Sequence, residues 1–371
     1  MKKKQNLAVY FVLFLVGVIS GAIMVIYLDS VFEEYGILLS LLFKVLIFIF
    51  TYLVQLIIHE IGHLVAGLLS GYSFASFRIG SIMIVKDNGK LKIKSQSIAG
   101  TGGQCLMIPP TPVEGKIPVI LYNLGGVLMN FATLPICVFL IRFLIGKPLP
   151  YAICVLMFLS GLIVALTNGI PLKLGMINND GSNARELYKN SEAQIAFYNQ
   201  FMILDGVRKG VRLKDMPKAY FGMPSETGMN NSISASSAVF LENRLVDAHQ
   251  FDEASVLINK LLYKESALIG LHKSFLVADK IVIELLRGET ERAKKLYLDK
   301  NYQTFSKKMK DSINIIRTDY AFALLCEKDE VMARNILTRF NNSAKKHPYP
   351  SDVVSERELI TLIDNVYNKI G

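Results

Sequence analysis

Apolar positions dominate the first 170 residues and come in four runs. Residues 7–28 carry no charge and follow Lys2-Lys3-Lys4. At about 1.5 Å per residue such a run spans a hydrocarbon core of about 30 Å. It is long for a signal-peptide core and no Ala-x-Ala pattern follows it, so the expectation is a retained transmembrane helix. The second run, residues 37–70, has Lys44 near its start and is too long for one simple crossing, so it must tilt, bend or emerge from the bilayer. The third covers 117–145, broken in charge only by Arg142, and the fourth covers 151–167. Four crossings put both termini on one side.

Between the second and third runs the pattern changes to period two. Ser76-Phe-Arg-Ile-Gly-Ser-Ile-Met-Ile-Val85 and Lys90-Leu-Lys-Ile-Lys94 alternate around Asp87-Asn88-Gly89. That predicts a β-hairpin with an Asn-Gly turn at the membrane surface. After Gly181 the periodicity is helical. Phe251-Asp-Glu-Ala254, Glu289-Thr-Glu-Arg-Ala293 and Asp329-Glu-Val-Met-Ala333 place alanines 39 and 40 residues apart. A constant offset of small residues predicts stacked helix pairs, a loose tetratricopeptide-like array, with an irregular helical domain as the alternative. Residues 219–233 read as a loop before it. The expected fold is mainly α: a polytopic membrane protein of about four transmembrane helices, a small surface β-hairpin and a C-terminal cytosolic repeat-like helical domain. Its parts are 1–36 (first helix and outer loop), 37–185 (membrane core) and 186–371 (helical domain).

Composition sharpens this division. Residues 1–170 hold 12 Lys+Arg and 6 Asp+Glu, against 29 and 25 in the remaining 201. With 51% hydrophobic residues the chain is neither disordered nor a small disulfide scaffold. The net charge of +10 contains no long basic run, which speaks against nucleic acid as a partner. Its use is topological. The segments on one side carry nine Lys or Arg (three at the N-terminus, then Arg78, Lys86, Lys90, Lys92, Lys94 and Lys116), and those on the other carry Arg142 and Lys147. The positive-inside rule then places both termini in the cytoplasm of a plasma-membrane protein. Cys105, Cys137, Cys154 and Cys326 lack metal or redox spacing and read as free thiols.

One motif carries chemistry. His59-Glu60-Ile61-Gly62-His63 lies inside the second run, where each ionisable group costs about 2.5–3.5 kcal/mol and is functional by default. On a helix the imidazoles at i and i+4 share a face and can bind one metal ion, with Glu60 beside them. Zinc suits two imidazoles and a carboxylate, leaving a position for water. Of candidates for the third ligand, His249, His272 and His347 are isolated in the helical domain. Asp180, after Asn168-Gly-Ile-Pro171, leaves the fourth crossing on the side toward which the histidines lie. The other reading of Asp180 is a helix cap or turn residue before Gly181.

These residues resemble the site-2 protease family of intramembrane zinc metalloproteases. The matching segments are His59-Glu-Ile-Gly-His63, Gly126-Val-Leu-Met-Asn130, Asn168-Gly-Ile-Pro171 and Asp180-Gly181, in family order across residues 37–185. The resemblance implies zinc held by His59, His63 and Asp180, with Glu60 as general base. It makes Asn130 and Asn168 candidates for holding substrate or the oxyanion; for Asn130 the alternative is a helix–helix hydrogen bond. Two departures are visible: Val127 follows Gly126 where the family commonly has proline, and the spacing from Pro171 to Asp180 exceeds the usual few residues.

The expected activity is cleavage of a membrane-spanning regulator or a signal-peptide-like segment, or maturation of a small exported, bacteriocin-like peptide. No inserted PDZ-like domain is evident, which leaves substrate selection, or a cytosolic protein partner, to the helical domain. The hairpin at 76–94 offers an edge for an unwound substrate, and Gly100-Thr-Gly-Gly-Gln104 a re-entrant loop for water. Membrane lipid is the remaining partner. A non-proteolytic scaffold is the competing class, and a free Glu60 beside the histidines argues against it. A metal transporter would need polar residues on more crossings.

Overall fold

The computed structural model describes residues 31–371 except 88, 96–100, 172, 175, 176, 264, 265 and 371, together with scattered positions between 11 and 29. Half of the expected first crossing, residues 7–28, falls outside the described residues. Among the described residues three helices are long and apolar enough to cross a membrane: α1 (Gly36–Leu69), α2 (Val119–Phe143) and α3 (Pro148–Gly169). They pack against one another, and polar groups within α1 point inward: Thr51, Gln55, His59, Glu60 and His63 are buried while Leu38, Leu42 and Phe50 are exposed. The second run is a single unbroken helix of 34 residues, about 51 Å long. Lys44, whose charge would be costly in lipid, is paired with Asp29.

The period-two segment forms more than the expected hairpin. Strand β1 (Ser73–Ile79) turns at Gly80-Ser81 into β2 (Ile82–Asp87), β2 pairs with β3 (Lys90–Ser95), the Asn88 of the expected turn lying outside the described residues, and β4 (Gly103–Ile108) adds beside β1. The order is β3-β2-β1-β4, antiparallel throughout. A two-residue turn with Gly80 at φ +58° divides what read as one strand from 76 to 85. Hence β1 and β2 are paired on both sides, and the free edges are β3 and β4. Met83 and Val85 on one sheet face are buried against the helical region, whereas cross-strand partners Ile84 and Ile93, with Ile82 and Leu91, stay exposed. Farther along the sheet, Cys105 and Met107 pack with Tyr72 and Tyr122 at the foot of α1 and α2.

A two-residue hairpin, β5 (Lys173–Leu174) with β6 (Ile177–Asn178), leads into α4 (Asp180–Leu187) and α5 (Ser191–Arg208). Beyond three short 3-10 turns the chain makes successive helix pairs: α6 (Ser232–Asp247) with α7 (Phe251–Tyr263), α8 (Gly270–Leu286) with α9 (Thr290–Tyr297), then α10 (Lys300–Lys308), and α11 (Ile313–Ala321) with α12 (Glu330–Lys346). Ala254, Ala293 and Ala333 are each buried near the start of a pair's second helix, where no larger side chain would let the partner approach as closely. Helix α13 (Pro350–Ile370) runs back along α11 to touch α5.

Candidate metal centre

Helix α1 carries His59 and His63 one turn apart, with their Nε2 atoms 3.2 Å from each other. Both rings are buried. His59 Nδ1 lies 2.7 Å from Asn130 Oδ1, and His63 Nδ1 lies 2.8 Å from the Tyr122 carbonyl oxygen. Each of those partners is an acceptor, so Nδ1 carries a proton on both rings and both Nε2 atoms are turned toward one point, free to ligate once deprotonated. Asp180 Oδ2 completes the set, 2.9 Å from His59 Nε2 and 3.3 Å from His63 Nε2. Tetrahedral zinc with bonds of about 2.0–2.1 Å sets its donor atoms about 3.3 Å apart, so the three atoms already define one face of such a site. No other group of three histidine, cysteine or carboxylate donors of this kind occurs among the described residues.

The surrounding sequence accounts for this placement. Gln55, one turn before His59, accepts from Asn130 Nδ2 through its Oε1 at 2.9 Å and its backbone carbonyl at 3.0 Å. That fixes the Asn130 amide with its oxygen toward His59. Gln55 is itself anchored by donation to the Met157 carbonyl of α3 at 3.0 Å. Asn130 is therefore fully enclosed, bridging α2 to α1 behind the imidazole. Gly126, one turn away, stands against the His59 ring: a Cβ there would lie 2.6 Å from its Nε2. Gly62 and Gly125 meet backbone to backbone, a Cβ on Gly62 falling 2.4 Å from the Gly125 oxygen. This contact brings α2 close enough for Asn130 and the Tyr122 carbonyl to reach the histidines.

The long spacing before Asp180 is taken up by the β5–β6 hairpin. Asn179 then caps α4, its side-chain oxygen accepting from Ser182 N–H at 2.9 Å, while its amide donates to the Thr167 and Ile170 carbonyls at 2.7 and 2.5 Å. Asp180 is thus the first residue of α4, fastened to the end of α3. Burial alone would raise the Asp180 carboxyl, but His63 and His59 outweigh it and hold it well below the usual carboxylate range. Gln55 and Asn179 are the supporting residues that motif reading missed. Their signals were a lone amide in an apolar run and an asparagine directly before a helix start.

The donors line a cavity of about 460 Å³ together with Glu60, Tyr122, Asn168 and residues 101–106. Glu60 is buried with its side chain against Gly103. Asn168 donates to the Val164 carbonyl of its own helix at 2.9 Å and faces the same space. Residues 101–104 of the expected re-entrant loop form a cavity wall, continuing into β4; residue 100 lies outside the described residues. The other histidines are remote from this cavity: His249 lies 3.6 Å from Glu358, His347 lies 3.4 Å from Asp352, and burial pushes His272 down to about 4.

No family model, curated protein or solved structure matches the chain. What the centre offers is therefore read from its own atoms. Two imidazoles and a carboxylate converge, a carboxylic side chain that is not one of the donors sits beside them, and a polar cavity adjoins both.

Proposed function

We propose that the chain is a zinc-dependent intramembrane endopeptidase, as its resemblance to site-2 proteases implies, with His59, His63 and Asp180 as metal ligands and Glu60 as general base. The observation that carries this reading is the convergence of His59 Nε2, His63 Nε2 and Asp180 Oδ2 while both Nδ1 atoms are spoken for. A zinc ion held by His59, His63 and Asp180 would supply a water of lowered pKa and polarise a peptide carbonyl. Glu60 takes the proton of the attacking water and passes it to the leaving amine. Asn130 and the Tyr122 carbonyl keep the imidazoles in the ligating tautomer. Gly62, Gly125 and Gly126 keep α2 at the required distance.

A transmembrane substrate hides its carbonyls in helical hydrogen bonds and must unwind before attack. Strand β4 is the sheet edge that borders the cavity, and the unwound segment lies along it. The substrate class is a membrane-spanning regulator or a signal-peptide-like segment, with a short exported peptide as a second substrate of the same chemistry. Both termini are cytoplasmic, and the helical region selects what is cut.

The test compares membrane and secreted peptides from cells carrying the wild type and cells carrying Glu60→Gln, which keeps the shape and removes the base. A full-length precursor should accumulate only with Glu60→Gln. Purified wild type should hold about one zinc per chain, and His59→Ala and Asp180→Ala should each lose it. Unchanged peptide profiles with zinc retained would make the protein a metal-stabilised membrane scaffold. Full occupancy and cleavage in Asp180→Ala would exclude Asp180 as the third ligand.

A further inference from the structure

A second cavity, of about 220 Å³ and open to one side, lies among α5, α6, α8, α11 and α13 of the helical region. Its walls have two characters. Ile203, Val207, Phe240 and Leu359 form an apolar side, and buried charges form the other. At the centre of the charged side is Arg317, 1% exposed, which donates to Asp279 Oδ1 at 2.6 Å. Its Nε lies 3.3 Å from Glu356 Oε2, yet the angle makes no hydrogen bond. Glu356 is 6% exposed; its Oε1 accepts from Asn314 Nδ2 at 3.0 Å, while Oε2 has no hydrogen-bond partner and borders the cavity. Glu242, fully buried nearby, has both carboxyl oxygens unpartnered.

The charge count is lopsided. Two carboxylates, Asp279 and Glu356, share the field of one guanidinium, while burial, with Asp279 adding to it, raises Glu242 well above the usual carboxylate range and keeps it protonated. The cavity's other arginine, Arg212, is committed to Asp247 and Glu358. Burial pushes Glu356 up to about 7, with Arg317 pulling the other way and Asp279 adding to the rise. An unpartnered buried carboxylate oxygen is among the costlier arrangements in a fold. An anion would add to the excess, and a divalent metal would meet the guanidinium of Arg317. Water supplies a donor but leaves the charge. A primary ammonium supplies both charge and donors in a compact head. A dry cavity of about 150 Å³ holds benzene, so this one takes a body of similar or slightly larger size.

We propose that this cavity binds a small organic monocation, a primary amine with a compact apolar body, its ammonium against Glu356 Oε2 and its hydrocarbon against Ile203, Val207, Phe240 and Leu359. The site is independent of the metal centre and of the protease reading.

Cyclohexylamine and its uncharged isostere cyclohexanol are the probes, added at pH 8 to the purified full-length protein. Calorimetry should show saturable binding of cyclohexylamine at one site per chain, at least tenfold tighter than cyclohexanol, with a rise in the unfolding temperature. Glu356→Gln should weaken amine binding at least tenfold. Leu204→Phe, which narrows the cavity and leaves its charges alone, should do the same and serves if Glu356→Gln does not fold. Equal binding of amine and alcohol, unchanged amine affinity in the folded variants, or no saturable binding to the wild type would each overturn the proposal. Glu60→Gln should bind the amine as the wild type does, and loss of binding there would place the amine in the metal-donor cavity instead.

Discussion

Asn130 shows how one amide governs the chemistry of a neighbour it only supports. Its oxygen holds His59 Nδ1–H and its nitrogen is pinned by Gln55, so the imidazole can neither rotate nor change tautomer. Outer partners of this kind are typically worth 10–100-fold in metal affinity or activity. Asn130→Ala should therefore weaken zinc binding by about 10–100-fold in a competition titration while leaving KM for a substrate peptide nearly unchanged. A raised KM with zinc affinity intact would move Asn130 from positioning the ligand to holding the substrate. At this scale the sequence was most legible where chemistry demands particular side chains: His59, Glu60, His63 and Asp180 meet in one cavity. It was least legible where an amide acts through geometry. Asn130 offered two readings because the same side chain serves a substrate or another helix equally well. Gln55 and Asn179 announce nothing until their partners are in place.

At the scale of elements, close helix approach depends on what is missing from the surface of α2. Gly126→Ala puts a methyl group 2.6 Å from the His59 ring, a separation that real Cβ atoms do not adopt. The variant should insert and fold, since alanine favours a helix and adds a single methyl group at this buried position, but bind zinc at least tenfold more weakly. Measured zinc content at wild-type level would mean that α2 can shift without disturbing the donors. The apolar runs located all three described spans, because a helix crossing lipid has little freedom in composition. Strand boundaries were harder. Alternation from 76 to 85 hid a two-residue turn because Gly80-Ser81 continues the small/polar rhythm of a strand, and the partnership of β4 with β1 joins residues about 30 apart that no local pattern links. The exposed row of Ile82, Ile84, Leu91 and Ile93 suits a sheet resting on a lipid surface.

Over the whole molecule, the helical region and the membrane-spanning region share side chains across the sheet. Met83 and Val85 pack with Ile203, Val207 and Tyr349, and Tyr122 packs with Phe197. Tyr122 also donates through its hydroxyl to the Cys105 carbonyl of β4, while its own carbonyl steadies His63. The two regions are mechanically one unit although composition divides them. Met83→Asp, a charge placed at a fully buried position without a partner, should separate them. Limited proteolysis should then release a fragment of the helical region that wild type resists, and zinc content should fall. An unchanged digestion pattern would show that each region stands alone. Composition divides these regions and carries no sign of their shared core, since contacts between α5 and the sheet leave no local trace in the sequence.

Helix α1 also serves as a ruler. Lys44, with its ion pair to Asp29, lies 15 residues before His59, or about 22 Å, and the helix ends about 15 Å beyond His59 at Leu69, beside the sheet. The proposed scissile bond is therefore off-centre, displaced toward the side that bears the helical region. Of a substrate cut there, the portion on that side keeps only a short apolar stub, too short to hold it in lipid. The opposite portion retains most of the span and stays behind. Depth along a single helix would thus decide which product diffuses away.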